Sequence, residues 1–146
     1  MSETKEQRKK IKENFCNSIF NIDEKIRFVG IVNKDSEVID GGFKKGIEPL
    51  LNVKEEQDMY LQSLSNMSFL QSFSKKFGPV DYILTKQKKI TMMTFPYKSN
   101  ILCLSVSSIA DIDKVRDETL KFLSKYNKKW FVHSTIIHNW TNWQYG

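Results

Sequence analysis

The sequence predicts an α+β fold in which helices flank a five-stranded antiparallel sheet. Along the chain, apolar residues recur every three to four positions in some segments and alternate with polar residues in others. The first spacing is typical of helices, and the second is typical of strands with one face on a core. The links between strands are short except where a long helix intervenes, which favours antiparallel neighbours. The predicted order is α-β-β-α-β-β-β-α.

The length and composition indicate one folded domain. The chain has 146 residues, with 40% hydrophobic and 27% charged, so we expect a packed core. The domain is predicted over residues 1–129. In the tail 130–146 the apolar residues follow neither the helical nor the strand periodicity, so the tail is left unassigned. The sequence contains no apolar run long enough for a membrane span and no signal-peptide core. We therefore expect a cytoplasmic protein.

The chain begins with a predicted helix and a predicted hairpin. Apolar residues four apart predict a helix over residues 5–20. Strand-like residues 26–33 and 37–40 flank a polar turn, which predicts a β-hairpin. We expect Gly41 and Gly42 to end it.

A long amphipathic helix is the best-marked element of the sequence. Asn52 and Glu55 have the spacing of a capping box, which predicts the start of the helix. Gly78 and Pro79 predict its end about six turns later. Its apolar positions are three and four residues apart: Tyr60, Leu64, Met67, Leu70, Phe73 and Phe77.

Three strands and a closing helix complete the predicted domain. The strand-like segments are residues 80–85, 89–95 and 101–107, and Pro96 is expected to end the second. Asp111 is the candidate N-cap of the last helix. The apolar face of that helix comprises Ile112, Val115, Phe122, Leu123, Tyr126 and Trp130.

The charge pattern does not favour a nucleic-acid partner. The net charge of +6 is a feature of many nucleic-acid-binding proteins, so this class of partner has to be considered. However, the lysines occur as scattered pairs with acidic residues between them, which is typical of a solvated surface.

The sequence shows no set of residues typical of catalysis, of a cofactor site or of a metal site. His133 and His138 are five residues apart rather than four, and the cysteines lie in distant segments, so no zinc site is expected. Cys16 and Cys103 are predicted to be buried free thiols. We therefore expect a protein that is not an enzyme and has no cofactor.

One loop combines glycines with positive charge. Residues 41–46 fit neither the dinucleotide-binding pattern nor the Walker pattern, so we favour a strand exit whose lysines point to water. This loop is nevertheless the first candidate for a small-anion or ligand site. The residues concerned are Gly41, Gly42, Lys44 and Lys45.

The long helix carries more apolar surface than one sheet face requires. Phe69 lies outside the stripe that is defined by Tyr60, Leu64, Met67 and Leu70. A helix with apolar residues around so much of its circumference buries the excess against another surface. Either the first or last helix covers it within the chain, or a partner does.

The element order over about residues 5–126 resembles the roadblock/LC7 domain, a branch of the profilin-like folds. In roadblock-like domains the long helix and the strand after it form a homodimer interface, and such proteins scaffold or regulate small GTPases. The resemblance thus implies a homodimer with a small GTPase as a further partner. The interface residues expected here are Tyr60, Leu64, Met67, Phe69, Phe73 and Tyr82.

Three segments resemble, in amino-acid sequence, a family of small uncharacterised archaeal proteins. They are residues 25–34 (KIRFVGIVNK), 41–51 (GGFKKGIEPLL) and 92–96 (MMTFP). This likeness implies an archaeal lineage and adds little about function.

Two main hypotheses follow, and they belong to different functional classes. The first is a non-catalytic homodimeric interaction or regulatory module. The second is a small-ligand sensor, because profilin-like and PAS-like sheets hold small molecules between sheet and helix. Thr85, Thr91 and Cys103 are its candidate polar groups. Nucleic-acid binding ranks third because it depends on charge alone, and an enzyme ranks last.

Overall fold

The computed structural model of the chain describes residues 15–127, and it confirms the predicted α+β architecture. The strands form one antiparallel sheet in the order β2-β1-β5-β4-β3. None of the helices in the described range is long and apolar enough to cross a membrane. The predicted start of the first helix, Trp130 and the tail 130–146 lie outside the described residues. The elements are α1 (residues 15–20), β1 (Ile26–Val32), β2 (Val38–Phe43), α2 (Val53–Gln71), α3 (Ser74–Phe77), β3 (Ile83–Lys86), β4 (Ile90–Tyr97), β5 (Asn100–Ser107) and α4 (Ile112–Asn127).

The helices divide between the two faces of the sheet. On one face, Ile19 of α1 and Val115 of α4 are buried in the larger core cluster. On the other face, Leu64 and Met67 of α2 pack in a second cluster that includes Val32 of β1. Because α1 and α4 pack on the first face, neither of them, as described, covers the outward side of α2.

The first hairpin is longer than predicted. Gly41 and Gly42 do not end β2 but lie inside it, opposite Gly30 and Val29 of β1. A Cβ atom on Gly41 would lie 2.1 Å from the carbonyl oxygen of Val29. The prediction that these glycines end the strand was wrong because they permit a close approach of two paired backbones.

The long helix ends earlier than predicted. α2 stops at Gln71, and only the short α3 follows. The Ser72 hydroxyl donates to the carbonyl oxygen of Phe69 at 2.5 Å, and the Ser74 hydroxyl donates to that of Gln71 at 2.6 Å. Such hydroxyls compete with the helical backbone for its carbonyl groups. The Gln71 side chain accepts from the N–H of Val80 at 3.0 Å, which ties the helix end to the segment before β3.

Pro96 lies inside β4 rather than at its end. It pairs with Ile101 of β5, and β4 continues to Tyr97. β3 pairs with β4 only as far as Thr94, so Pro96 lies where β4 is a sheet edge on that side. The prediction was wrong because an edge position tolerates the missing N–H donor of proline.

The predicted caps of the two long helices are confirmed. The Asn52 side chain accepts from the N–H of Glu55 at 2.8 Å, and the Glu55 carboxylate accepts from the N–H of Asn52 at 3.0 Å. The Asp111 carboxylate accepts from the N–H of Lys114 at 3.1 Å. Each cap satisfies N–H groups that have no partner within the helix.

We expect Asn52→Ala to lower the free energy of unfolding by about 1 kcal/mol, because α2 loses its capping acceptor. Asn52→Asp keeps an acceptor at the same place and is the matched control, with an expected change under about 0.5 kcal/mol. Urea unfolding followed by circular dichroism measures both. Equal losses in the two variants would contradict the capping role.

Candidate functional site

The outward side of α2 and α3 carries a row of exposed apolar side chains. The rings of Phe69 and Phe73 meet edge to face with centroids 5.3 Å apart, and those of Phe73 and Phe77 stack at 5.9 Å. Phe69 is 64% exposed and Phe77 is 83% exposed. Leu61 shares a shallow surface depression with Phe69. We refer to the exposed residues of this row as the helix patch: Leu61, Phe69, Leu70, Phe73 and Phe77.

Of the six residues expected at a dimer interface, the structure brings Phe69 and Phe73 together in the helix patch. Leu64 and Met67 are buried against the sheet of their own chain. Leu61, Leu70 and Phe77 belong to the patch but were absent from the expected interface. Phe77 continues the apolar spacing of the long helix, so a signal for it was present in the sequence.

The two tyrosines of the expected interface lie elsewhere. The Tyr60 ring stacks on that of Phe28, with centroids 5.9 Å apart, on the sheet face that α2 covers. Tyr82 packs near Phe95 on the opposite core, and the Arg116 guanidinium carbon lies 5.8 Å from its ring centroid. Neither tyrosine is part of the helix patch.

β3 follows α3 along the chain and is an edge strand of the described sheet. Within residues 15–127 its backbone pairs with β4 alone. Thr85 and Lys86 are exposed on this strand. The open side of an edge strand presents N–H and C=O groups on which another strand can pair.

The predicted anion loop is partly engaged in holding the fold. Gly41 and Gly42 are paired residues of β2. The Lys44 ammonium donates to the carbonyl oxygen of Glu24 at 2.7 Å, and Lys45 is exposed. An anion site at this loop stays a prediction.

A cavity of about 330 Å³ opens between the first half of α2, the sheet and the loop that joins β2 to α2. Its walls are mainly apolar. Aromatic rings and methionines form the inner part, and two leucines of the loop form the outer part. These residues are Phe28, Phe43, Tyr60, Met59, Met92, Leu50 and Leu51.

Polar side chains also reach the cavity. The Arg27 guanidinium donates from Nη2 to the carbonyl oxygen of Glu48 at 3.0 Å, which fixes it against the loop. Burial raises the pKa of Tyr60 to about 12, with smaller contributions from Glu56 and Cys103. The phenol is therefore protonated at neutral pH and can both donate and accept a hydrogen bond. The other polar residues of the wall are Glu56, Gln87 and Ser105.

The three polar groups predicted for a ligand pocket are not brought together. Thr85 is exposed on β3, and Thr91 is buried beside the Ser108 hydroxyl at 3.3 Å. Cys103 lies in the core beneath α2. Sequence reasoning missed Arg27 and Glu56, because the elements that carry them meet only in the folded chain and no local spacing marks them.

Both cysteines are buried and free, as predicted. Among residues 15–127, no group of three or more His, Cys, Asp or Glu side chains is placed to hold a metal ion. His133 and His138 lie outside the described residues.

Solved structures of similar fold include roadblock and MglB proteins. The roadblock/LC7 domain from Streptomyces avermitilis has 11% identity and a TM-score of 0.60, with 81% of this chain and 95% of that chain covered. Gliding protein MglB from Thermus thermophilus has 8% identity and a TM-score of 0.64, with 88% and 96% covered. An MglB with tetrameric arrangement has 9% identity and a TM-score of 0.63, with 84% and 91% covered. These matches confirm the roadblock/LC7-like fold, and identities this low show the fold alone.

Sequence comparison gives the family of the chain. No curated protein matches it. The model of a family of unknown function, DUF6659, matches residues 4–135. An archaeal lineage, which three segments implied, stays a prediction. Because the match spans most of the sequence and all the described residues, the chain belongs to the family of unknown function DUF6659.

Proposed function

We propose that this chain is a non-catalytic, homodimeric interaction module that scaffolds or regulates a small GTPase in signalling. The observation that carries the proposal is the helix patch, in which Phe69 is 64% and Phe77 is 83% exposed. Contiguous apolar surface of this kind marks an interaction site on a folded protein. α1 and α4, as described, pack on the other face of the sheet and leave the patch uncovered.

A second copy of the chain is the occupant that best suits the patch. Its residues are apolar, so two patches related by a twofold axis bury like against like without pairing charges. β3, the next strand, offers an open edge for a second contact. An MglB of similar fold exists in a tetrameric arrangement, so this fold is compatible with self-association.

The fold supports the second part of the proposal, because roadblock proteins scaffold or regulate small GTPases. A domain over residues 1–129, a cytoplasmic location and the absence of catalysis belong to the same proposal. Neither nucleic acid nor a cofactor is part of it.

We expect the wild-type protein to have a mass near twice 17.2 kDa in light scattering over a wide range of concentration. The double variant Phe69→Asp, Phe77→Asp is expected to be a monomer, because an interface that buries unpaired carboxylates is strongly disfavoured. Ile109→Asp is the matched control. It places the same charge on a side chain that is 78% exposed in the turn after β5, and it should remain a dimer.

A monomeric wild type, or a double variant that keeps the dimer mass, would contradict the homodimer. Circular dichroism verifies that each variant is folded. The GTPase part is tested separately, by the nucleotide exchange and hydrolysis rates of small GTPases encoded in the same genome. Unchanged rates, together with no complex in light scattering, would contradict that part alone.

A further inference from the structure

We propose that the cavity beside α2 binds a neutral, planar heteroaromatic compound of two or three fused rings. The cavity shares none of its wall residues with the helix patch, so this inference does not depend on dimerisation. Its volume of about 330 Å³ falls within the range of small-molecule sites.

The aromatic part of the wall favours a flat ligand. The ring of Phe28 lies 5.0 Å from that of Phe43 at an angle of 64°, and 5.9 Å from that of Tyr60 at 27°. Rings in these orientations offer both a face and an edge to a planar guest. Met59 and Met92 add polarisable side chains that adapt to such a guest.

The sheet register explains why the cavity exists. Phe43 of β2 lies opposite Phe28 of β1, Phe28 lies opposite Ser105 of β5, and Ser105 lies opposite Met92 of β4. These four residues form one row across the sheet. Ser105 is the smallest side chain in the row and stands between two large ones, so it leaves space at the floor of the cavity.

The charges of the wall favour a neutral ligand over an ion. Arg27 contributes one cation and Glu56 one anion. A singly charged ligand would be attracted by one of these groups and repelled by the other. A neutral heterocycle with donors and acceptors on its edge can bond to both groups, and also to Gln87 and the Tyr60 hydroxyl. An alkyl carboxylate is therefore the wrong class of ligand.

A bound ligand would cover exposed apolar side chains in the outer wall of the cavity. Leu50 is 66% exposed and Leu51 is 39% exposed, although both line the cavity. The bond between Arg27 and the carbonyl oxygen of Glu48 holds this loop beside the opening. A planar guest covers apolar surface of both leucines, which contributes to binding through the hydrophobic effect.

The test uses the full-length protein with two probes. Lumichrome is a neutral three-ring heterocycle that is fluorescent, and decanoate is an alkyl carboxylate. We expect lumichrome to bind saturably. Decanoate at the same concentration should not displace it. Ser105→Leu fills the floor of the cavity and should weaken lumichrome binding by at least about tenfold. Ser124→Leu makes the same change on the exposed side of α4 and should leave the Kd unchanged.

Two further variants keep the proposal falsifiable if Ser105→Leu unfolds the chain. Leu50→Ser changes an exposed residue and should weaken lumichrome binding by about threefold. Glu56→Gln removes the anion and should allow decanoate to compete. Lumichrome that fails to bind the wild type, or decanoate that displaces it, would overturn the proposal. An unchanged Kd in a folded Ser105→Leu variant, or in Leu50→Ser, would do the same.

Discussion

Gly41→Ala is expected to lower the free energy of unfolding by about 2–5 kcal/mol. Gly41 has a φ angle of +82°, and a side chain in that conformation costs about 1–2 kcal/mol. The new Cβ atom would also lie 2.1 Å from the carbonyl oxygen of Val29. That oxygen belongs to the paired backbone of β1 and cannot rotate away, so β1 and β2 must separate, at a further cost of about 1–3 kcal/mol.

Gly46→Ala is the matched control for this prediction. Gly46 has a φ angle of +86°, and a Cβ atom there would meet no atom within 4 Å. Gly46→Ala should therefore lower the free energy of unfolding only through the backbone conformation, by about 1–2 kcal/mol. Urea unfolding of the two variants separates steric overlap from backbone strain. Equal losses would show that β1 and β2 do not approach each other as closely as described.

The features that sequence predicted well are those decided by residues close together in the chain. The capping box joins Asn52 and Glu55, which are three residues apart, and the Asp111 cap joins residues equally close. Short links between strands likewise fix antiparallel neighbours. The order of elements and the α+β class could therefore be predicted without knowledge of the sheet.

Two of the errors arose where a distant partner decides the outcome. Gly41 resembled the end of a strand because its reason for being glycine, the backbone of Val29, belongs to another strand. Pro96 resembled a strand end because only the length of β3 makes its position an edge. The end of α2 is a different case, because the Ser72 and Ser74 hydroxyls bond to carbonyl groups only three residues away. It was missed because the apolar spacing continues past these serines to Phe77.

The candidate sites were predictable to different degrees. The excess of apolar residues on α2 could be seen in the sequence, and Phe69 was correctly placed off the face of Leu64 and Met67. Leu70 was assigned to that same face but is 40% exposed. The sheet buries Leu64 and Met67, and only the fold shows which apolar residues of the helix remain exposed. No sequence pattern predicted the cavity, because the row that contains Phe28 and Ser105 is formed only by the register of the paired strands.

The second prediction with a large effect concerns alkaline pH. Burial raises the pKa of the Cys103 thiol from 9.0 to about 12, against a smaller lowering by a hydrogen bond with Thr94. Burial also raises the pKa of Cys16 to about 12, and the nearby Asp40 carboxylate, 3.8 Å from its sulfur, acts in the same direction. The unfolded chain therefore releases these protons first as the pH rises. Stability is full below about pH 9 and falls between pH 9 and pH 12.

The difference in unfolding free energy between wild type and Cys103→Ala isolates this effect. Cys103→Ala is less stable than wild type at pH 8 because it leaves a cavity in the core beneath α2. At pH 10.5 that difference should shrink by about 2 kcal/mol, because only the wild type still loses stability through the titration of this thiol. Urea unfolding at the two pH values measures the change.

Ile101→Val is the control that separates titration from packing. Ile101 is buried in the same cluster as Cys103 and carries no ionisable group. Its difference from wild type should therefore stay constant between pH 8 and pH 10.5, even though other groups of the protein titrate in that range. If both differences change alike, the change comes from the altered packing of this cluster and not from the titration of the Cys103 thiol. If the Cys103→Ala difference stays constant, the thiol is accessible to water, and the packing of α2 on the sheet is looser than its contacts indicate.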